Sequence, residues 1–304
     1  MKSHNNQRMT AHSASIHQDP LLFFMQRTCR GFLKQYFLNR HVITLVGLCS
    51  LTLPAHSSNL IWQSNTFTYI SGQNFRVNPS NQHTYTLEHS SSWSWGDLFT
   101  VIDSVNFDKE SDSSLGSSTY YGEFSPRLSV NKLTNSNYRL GLITDLLLAA
   151  TYERGENRFQ NYLIGPGFDL DISGADFFQL NFYYRQADGI SNKASGLWQV
   201  TPIWSFTAPI FNTHVTFDGY IDWILNSKGS VNRGDRIEKN LHFNPQLKFD
   251  LGEALGQQKK RVYIGLEYDY WSNKYGIEDG GVVSHYIVGR TKQSAISLLV
   301  KLNF

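Results

Sequence analysis

The stretch YYGEFSPRLSV, Tyr120–Val130, divides into two alternating sets of residues. One set is aromatic or apolar, and the other is charged or hydroxylated and consists of Tyr121, Glu123, Ser125, Arg127 and Ser129. Side chains of a strand point alternately to opposite faces, so a strand here would have an apolar face and a charged face. An antiparallel sheet in water shows the same alternation. The number, the length and the connections of such segments therefore decide the fold.

The alternation returns along the whole chain after Asn59. Clear cases are HVTFDGYIDW from His214, LHFNPQLKFDL from Leu241, RVYIGLEYDY from Arg261 and AISLLVKLNF from Ala295. Strands are predicted at 60–70, 82–92, 94–105, 119–132, 140–153, 160–172, 177–186, 196–208, 214–225, 239–251, 261–271 and 294–304. Most of these segments have about ten residues, which is long for a soluble strand and matches the 9–11 residues of a tilted membrane strand.

These features predict an all-β fold, a single transmembrane antiparallel β-barrel of about twelve strands. The connections alternate between short turns and longer polar loops, as expected for a barrel with both termini in the periplasm. A Lys or Arg in lipid at the midplane costs roughly 2–4 kcal/mol, so the charged face must line the lumen.

Residues 1–57 differ from the rest of the chain. They carry six basic residues and one acid, and they contain the apolar run HVITLVGLCSLTLPAHSS. A basic region, a short apolar stretch and small residues are typical of a secretory signal peptide, here with cleavage near Ser57. The long polar lead-in makes Met25 a candidate translation start beside Met1. We therefore expect a leader over 1–57 and one barrel domain over 58–304.

The leader also accounts for the basic charge. The chain has 27 Lys or Arg and 25 Asp or Glu, so removal of six bases and one acid leaves 21 and 24, a net charge of −3. Nothing in this charge favours nucleic-acid binding. Both cysteines, Cys29 and Cys49, lie in the leader, and the histidines lack ligand spacing. We expect no cofactor, no metal and no nucleic-acid partner.

Several long motifs carry a family resemblance. The segments YYGEFSPRLSVNKLT, YLIGPGFDLDISGADFFQLNFYYR, FDGYIDW, NLHFNPQLKFDLGEALG and EYDYWSNKYGI resemble the OmpK-type outer-membrane proteins of the nucleoside-specific channel family, Tsx. The resemblance covers the mature chain and implies a twelve-stranded barrel in the bacterial outer membrane, with a narrow nucleoside channel that phages sometimes use as a receptor. The aromatic C-terminal residue, Phe304, resembles the signal that the barrel assembly machinery recognises. Outer-membrane lipid, nucleosides, phages and this machinery are the partners that the resemblance implies.

The inward register gathers charged and aromatic side chains in the lumen. Acids outnumber bases, so the lumen should disfavour anions and suit neutral or cationic solutes. Aromatic rings stack a base at roughly 1–3 kcal/mol each, and carboxylates and Arg can bind the sugar. The candidate nucleoside-binding residues are Glu88, Asp97, Phe99, Asp103, Tyr121, Glu123, Arg127, Tyr183, Arg185, Asp218, Tyr220 and Asp222; Lys248, Asp250, Tyr263, Glu267 and Asp269 also face inward.

A structural interpretation of the same residues stays open. Inward charges in a small barrel often form a network that fills the interior. Arg127 and Glu123 share a face and are expected to form such a structural pair. Interfacial anchoring is expected for Trp62, Trp93, Trp204, Trp223 and Trp271.

The sequence also bears on two other function classes. A hydrolase needs a nucleophile beside a base, but His89 and the adjacent Ser90 point to opposite faces, and His242 and Asp250 lie about 27 Å apart along a strand. We expect no enzyme. A general pore without nucleoside selectivity, or a barrel that serves mainly as a phage or adhesion receptor, stays an alternative. The RGD at Arg233–Asp235 is too short to predict adhesion.

Overall fold

The fold is taken from a computed structural model. It describes residues 59–108, 116–156, 159–189, 195–230 and 236–304. The predicted leader, both cysteines and the RGD tripeptide lie outside these ranges. No helix within the described ranges is both long enough and apolar enough to span a bilayer.

Twelve antiparallel strands form one closed barrel, which confirms the predicted fold. Each strand pairs with its neighbours in sequence, and β1 pairs with β12 to complete the ring, for example through Thr68 opposite Lys301. Closure leaves no strand edge without a partner, as a bilayer requires. The strands are β1 Leu60–Gly72, β2 Gln82–Trp93, β3 Gly96–Phe107, β4 Ser118–Ser129, β5 Ile143–Gly155, β6 Phe159–Leu170, β7 Phe177–Gly189, β8 Leu197–Ile210, β9 Thr213–Ile224, β10 Asn240–Asp250, β11 Val262–Ser272 and β12 Gln293–Asn303.

The two faces of the barrel wall differ in chemistry, as β12 shows most clearly. Ile296 and Leu298 point outward and are 63% and 68% exposed, whereas the intervening Ser297 and the following Leu299 are buried. Large exposed apolar side chains recur around the outside of the barrel. A continuous apolar outer band would be a liability in water and is what a lipid-facing surface requires.

Both described ends of the chain lie at one rim of the barrel. The N–H of Phe304 donates to the carbonyl of Asn65 over 2.9 Å. We call this end the turn rim, since its connections are mostly short: 94–95, 130–142, 171–176, 211–212 and 251–261. The opposite end is the loop rim, whose connections include 73–81, 108–117, 225–239 and 273–292.

Both strand ends at the β4–β5 connection differ by three residues from the prediction. The strand predicted over 119–132 stops at Ser129, because that hydroxyl accepts the N–H of Lys132 over 3.0 Å and caps the short helix α1, Val130–Thr134. The following strand begins at Ile143 rather than at 140. A second short helix, α2 (Leu251–Ala254), is capped in the same manner by Asp250 at the turn rim.

Candidate functional site

The lumen contains every residue that the sequence proposed for solute contact. In the strand register all twelve lie on the inward face, from Glu88 on β2 to Asp222 on β9. The strands bring them into several hydrogen-bonded groups rather than one, and the partners differ in part from those expected.

The first group is the Arg127 triad, formed by Asp97, Arg127 and Asp169 near the turn rim. Arg127 donates from Nε and from one terminal nitrogen to the two oxygens of Asp97, over 2.9 and 2.7 Å. The same terminal nitrogen lies 2.9 Å from Oδ1 of Asp169. The Arg127 side chain is 5% exposed. It is therefore a structural cation that links Asp97 on β3 to Asp169 on β6.

The expected Arg127–Glu123 pair is wrong. Four residues along a strand separate the two Cα atoms by about 14 Å, beyond the reach of an ion pair with both side chains perpendicular to the sheet. Asp97 instead lies directly opposite Arg127 in the β3–β4 register. Glu123 accepts from the hydroxyls of Ser125 and Tyr121, the latter over 3.2 Å.

The second group is the Arg185 network in the half of the lumen nearer the loop rim. Arg185 forms a bidentate ion pair with Glu153 and donates to Gln199 over 2.7 Å. Gln199 and Thr201 in turn donate to Oδ1 of Asp222 over 2.8 and 2.7 Å. Two predicted residues, Arg185 and Asp222, are thus linked through polar groups.

Glu153 was missed by the sequence analysis. It is buried and also accepts from Asn161 over 2.7 Å. Its segment, LLLAATYERG, is apolar on both faces near its start, which hides the inward register. Continuing the two-residue period from Leu147 through Thr151 would have placed Glu153 inward.

A third group surrounds His242 beneath the loop rim. The imidazole stacks on Trp271 with ring centroids 3.9 Å apart, and its Nε2 lies 3.2 Å from Asp269. Tyr220 approaches the same imidazole edge-on, with ring centroids 5.2 Å apart. Trp271 is therefore a lumen residue, so its expected role as an interfacial anchor is wrong. It shares the inward register of Asp269, which the sequence pattern already contained.

Of the other tryptophans, Trp62 pairs with Ser92, which lies opposite Asp97, so it shares the inward register at the turn rim, where it is 52% exposed. Trp223 follows the outward register and is about half exposed on the outer surface. Trp204 is also outward but is covered by Phe217 and Phe243, whose ring centroids lie 5.9 and 6.1 Å away.

Two lysines, one on β12 and one on β10, form ion pairs with two of the predicted acids, Glu88 on β2 and Asp218 on β9. Lys301 lies 2.5 Å from Glu88, which also accepts from Thr66 over 2.6 Å. Lys248 forms an ion pair with Asp218. Lys301 was missed, although its outward neighbours on β12 imply that it faces inward.

Other inward acids have only neutral hydrogen-bond partners. Asp103 accepts from Thr86 over 2.6 Å, and Glu267 accepts from Gln246 over 2.8 Å. In the described part of the chain neither carboxylate has a base within ion-pair distance. Acidic residues thus outnumber basic residues along the described lumen wall.

The predicted aromatic residues differ in how far they reach the open lumen. Tyr183 is 5% exposed and buried in the wall, where its ring contacts Ala149 and Leu163. Tyr121 is only partly buried and lies 6.4 Å from the ring of Phe159. Phe99 is partly exposed in the inward register between β2 and β4.

At the loop rim, Asp279 organises the β11–β12 connection. Its Oδ1 accepts the backbone N–H of Thr291 over 2.7 Å and that of Lys292 over 3.3 Å. The hydrogen bond from Thr291 is the main cause that lowers the pKa of Asp279 below its ordinary value.

Comparison with protein families matches residues 57–304 to the family described as nucleoside-specific channel-forming protein, Tsx. The chain belongs to the Tsx family. The match covers the barrel and confirms the resemblance that the motifs carry. A Tsx-family barrel is an outer-membrane channel of bacteria, in contact with lipid and open to small molecules. The family is a family of channels and not a class of enzymes.

Solved structures with similar folds include other outer-membrane barrels. The KdgM porin is 10% identical, with a TM-score of 0.43, and the match covers 79% of this chain and 99% of that one. The NanC porin is 12% identical, with the same TM-score and coverage. Outer membrane phospholipase A from Escherichia coli is 9% identical, with a TM-score of 0.41 and coverage of 79% and 89%. A comparison with curated protein sequences found no match.

Proposed function

We propose that this Tsx-family barrel is a passive, weakly selective channel for nucleosides. The observation that carries the proposal is the match to nucleoside-specific channels over residues 57–304. The chemistry of the lumen agrees with it, because partly exposed aromatic rings and carboxylates line the same wall.

The candidate contact residues divide by exposure. Arg127 and Tyr183 are buried in the wall, which leaves them little surface for a solute. Their role in the proposal is to hold the neighbouring strands in register. The partly exposed Phe99, Tyr121 and Tyr220 are the better candidates for stacking against a base. Each stacked ring contributes roughly 1–3 kcal/mol, which suits transient binding.

The polar candidates complement the two parts of a nucleoside. The carboxylates of Glu123 and Asp222 can accept hydrogen bonds from ribose hydroxyls or base amino groups. Acids such as Asp103, which have no basic partner in the described chain, add a negative potential that disfavours nucleotides and other anions. A neutral nucleoside pays no such electrostatic cost.

Single-channel conductance of the refolded barrel tests the proposal. Adenosine and thymidine should block the current in a concentration-dependent manner, while glucose and a nucleotide should not. Phe99→Ala and Tyr121→Ala should weaken the block. Tyr85→Ala, which removes an aromatic ring from the lipid face, is the matched control and should leave it unchanged. A conductance that is indifferent to all four solutes would indicate a general pore or a surface receptor instead.

A further inference from the structure

A cage of aromatic rings encloses the ammonium group of Lys274 at the loop rim. Its Nζ lies 5.1 Å from the ring centroid of Tyr275, 5.7 Å from that of Phe75 and 5.8 Å from that of Trp271. The fourth side is the amide oxygen of Gln293, which accepts from Nζ over 2.6 Å. We call these four residues the cation cage.

The cage compensates for an unusual burial. Lys274 is 3% exposed, and the burial of an ammonium ion is costly unless it is compensated. Lys248 and Lys301 are compensated by direct ion pairs with carboxylates. Lys274 has no carboxylate within ion-pair distance in the described ranges, and Asp269 acts on it only from further away. The three rings and one amide oxygen therefore carry most of the compensation, through cation–π attraction and a single hydrogen bond.

The surrounding backbone is arranged to build this cage. Asn273 and Tyr275, on either side of Lys274, have φ values of 48° and 58°, a left-handed conformation that residues other than glycine rarely adopt. Phe75 folds back over Gly72, where a Cβ would lie 3.1 Å from the Phe75 ring. The cage thus joins four parts of the chain, namely the β1–β2 loop, the end of β11, the β11–β12 connection and the start of β12.

One wall of the cage borders the outside. Phe75 is buried and Gln293 fully so, but Tyr275 is 50% exposed, and its hydroxyl accepts a hydrogen bond from the side-chain amide of Asn78 over 3.2 Å. Displacement of the Tyr275 ring would open the cage at the channel mouth. The acidic lumen below it adds attraction for any cation that enters.

We propose that the cation cage is a binding site for organic ammonium ions, occupied in the resting protein by the chain's own Lys274. A solute with an ammonium group exchanges with the lysine and thereby binds at the mouth of the channel. The proposal rests on channel formation and is independent of nucleoside selectivity, since aromatic faces and one amide oxygen recognise the cation alone.

Block of the conductance by tetramethylammonium, with Na⁺ as the inorganic control, tests the site. Lys274→Ala vacates the cage, so the blocking concentration should fall about tenfold below that of the wild type, since a tethered lysine no longer competes. Adding Trp271→Leu to Lys274→Ala should abolish this gain in sensitivity to tetramethylammonium. Lys301→Ala removes an equal charge from the lumen without a cage and should behave as the wild type does. Equal sensitivity of Lys274→Ala and wild type, or a gain that survives Trp271→Leu or appears in Lys301→Ala, would overturn the proposal.

A labelling experiment on the wild-type barrel needs neither variants nor current. Lys274 should react slowly with an amine-acylating reagent, and tetramethylammonium should accelerate its labelling several-fold by exchange, as measured by mass spectrometry of peptides. The rates at Lys301 and at the exposed Lys259 should not change. An unchanged rate at Lys274 would refute exchange, whereas adenosine block on the same preparation tests the nucleoside channel separately.

Discussion

Replacement of Arg127 by Met removes the cation from between two carboxylates in the barrel wall. Three contacts of 2.7–2.9 Å disappear, and Asp97 and Asp169 are left without the base that both of them contact. Loss of one partner from a buried ion pair costs about 3–5 kcal/mol. The Asp97 and Asp169 side chains are 28% and 33% exposed, so lumen water solvates them in part. We therefore expect a loss near the lower end, about 3 kcal/mol in the free energy of unfolding.

The chain offers a matched control at the same rim. Arg139 pairs with Asp171 over 2.6 Å, but the two side chains are 51% and 64% exposed. Arg139→Met should cost less than about 1 kcal/mol, because an exposed ion pair contributes little. Both values are measured by reversible denaturant unfolding of the barrel in lipid vesicles, followed by tryptophan fluorescence.

The comparison can refute the reasoning directly. Addition of Asp97→Asn and Asp169→Asn to Arg127→Met should recover part of the lost stability, since the repulsion between the two carboxylates is removed. Equal losses for Arg127→Met and Arg139→Met would show that the Arg127 triad does not stabilise the wall. A triple variant less stable than Arg127→Met would contradict the electrostatic account.

Three further predictions concern the rims and the lipid face. Because the pKa of Asp279 is lowered, its stabilisation of the β11–β12 loop is present above the ordinary pKa of 3.8 and is lost as the pH falls through the lowered pKa. Hydrogen exchange at the Thr291 N–H should therefore rise in that acidic range. In the Asp279→Asn variant, the same N–H should exchange rapidly at neutral pH as well. Leu298→Lys places a charge in lipid midway along β12 and should cost roughly 2–4 kcal/mol in the same unfolding assay, whereas an equal stability to wild type would contradict the lipid-facing assignment. Phe304→Ala should lower the amount of assembled barrel in cells, seen as loss of the heat-modifiable folded band, while the refolding yield in detergent stays unchanged; equal losses in both would exclude recognition by the assembly machinery.

The number of strands and the face of each side chain could be read from the sequence for a physical reason. The alternation of side chains between two faces depends on one strand alone. The sequence of β12 therefore predicts that Leu298 points outward and Ser297 inward, without knowledge of the adjacent strands. Strand ends are less local, since Ser129 stops β4 by capping a helix that the alternation does not reveal. This explains why the predicted strand ran three residues too far.

Partners across the lumen could not be read in the same manner. Arg127 pairs with Asp97 because β3 and β4 have a particular register, and a register depends on the whole closed ring. The same limit applies to Trp271, whose stacking on His242 depends on the β10–β11 register. A residue's face is thus a property of one strand, whereas its partner is a property of two.

Uptake of labelled adenosine into vesicles that contain the refolded barrel, compared with uptake of glucose, tests the central claim most directly. Glucose is the smaller solute, so a simple pore would admit it at least as fast. The account predicts faster adenosine uptake that saturates with concentration and slows in the Tyr121→Ala variant. Uptake ordered by size alone, without saturation, would contradict a nucleoside-selective lumen.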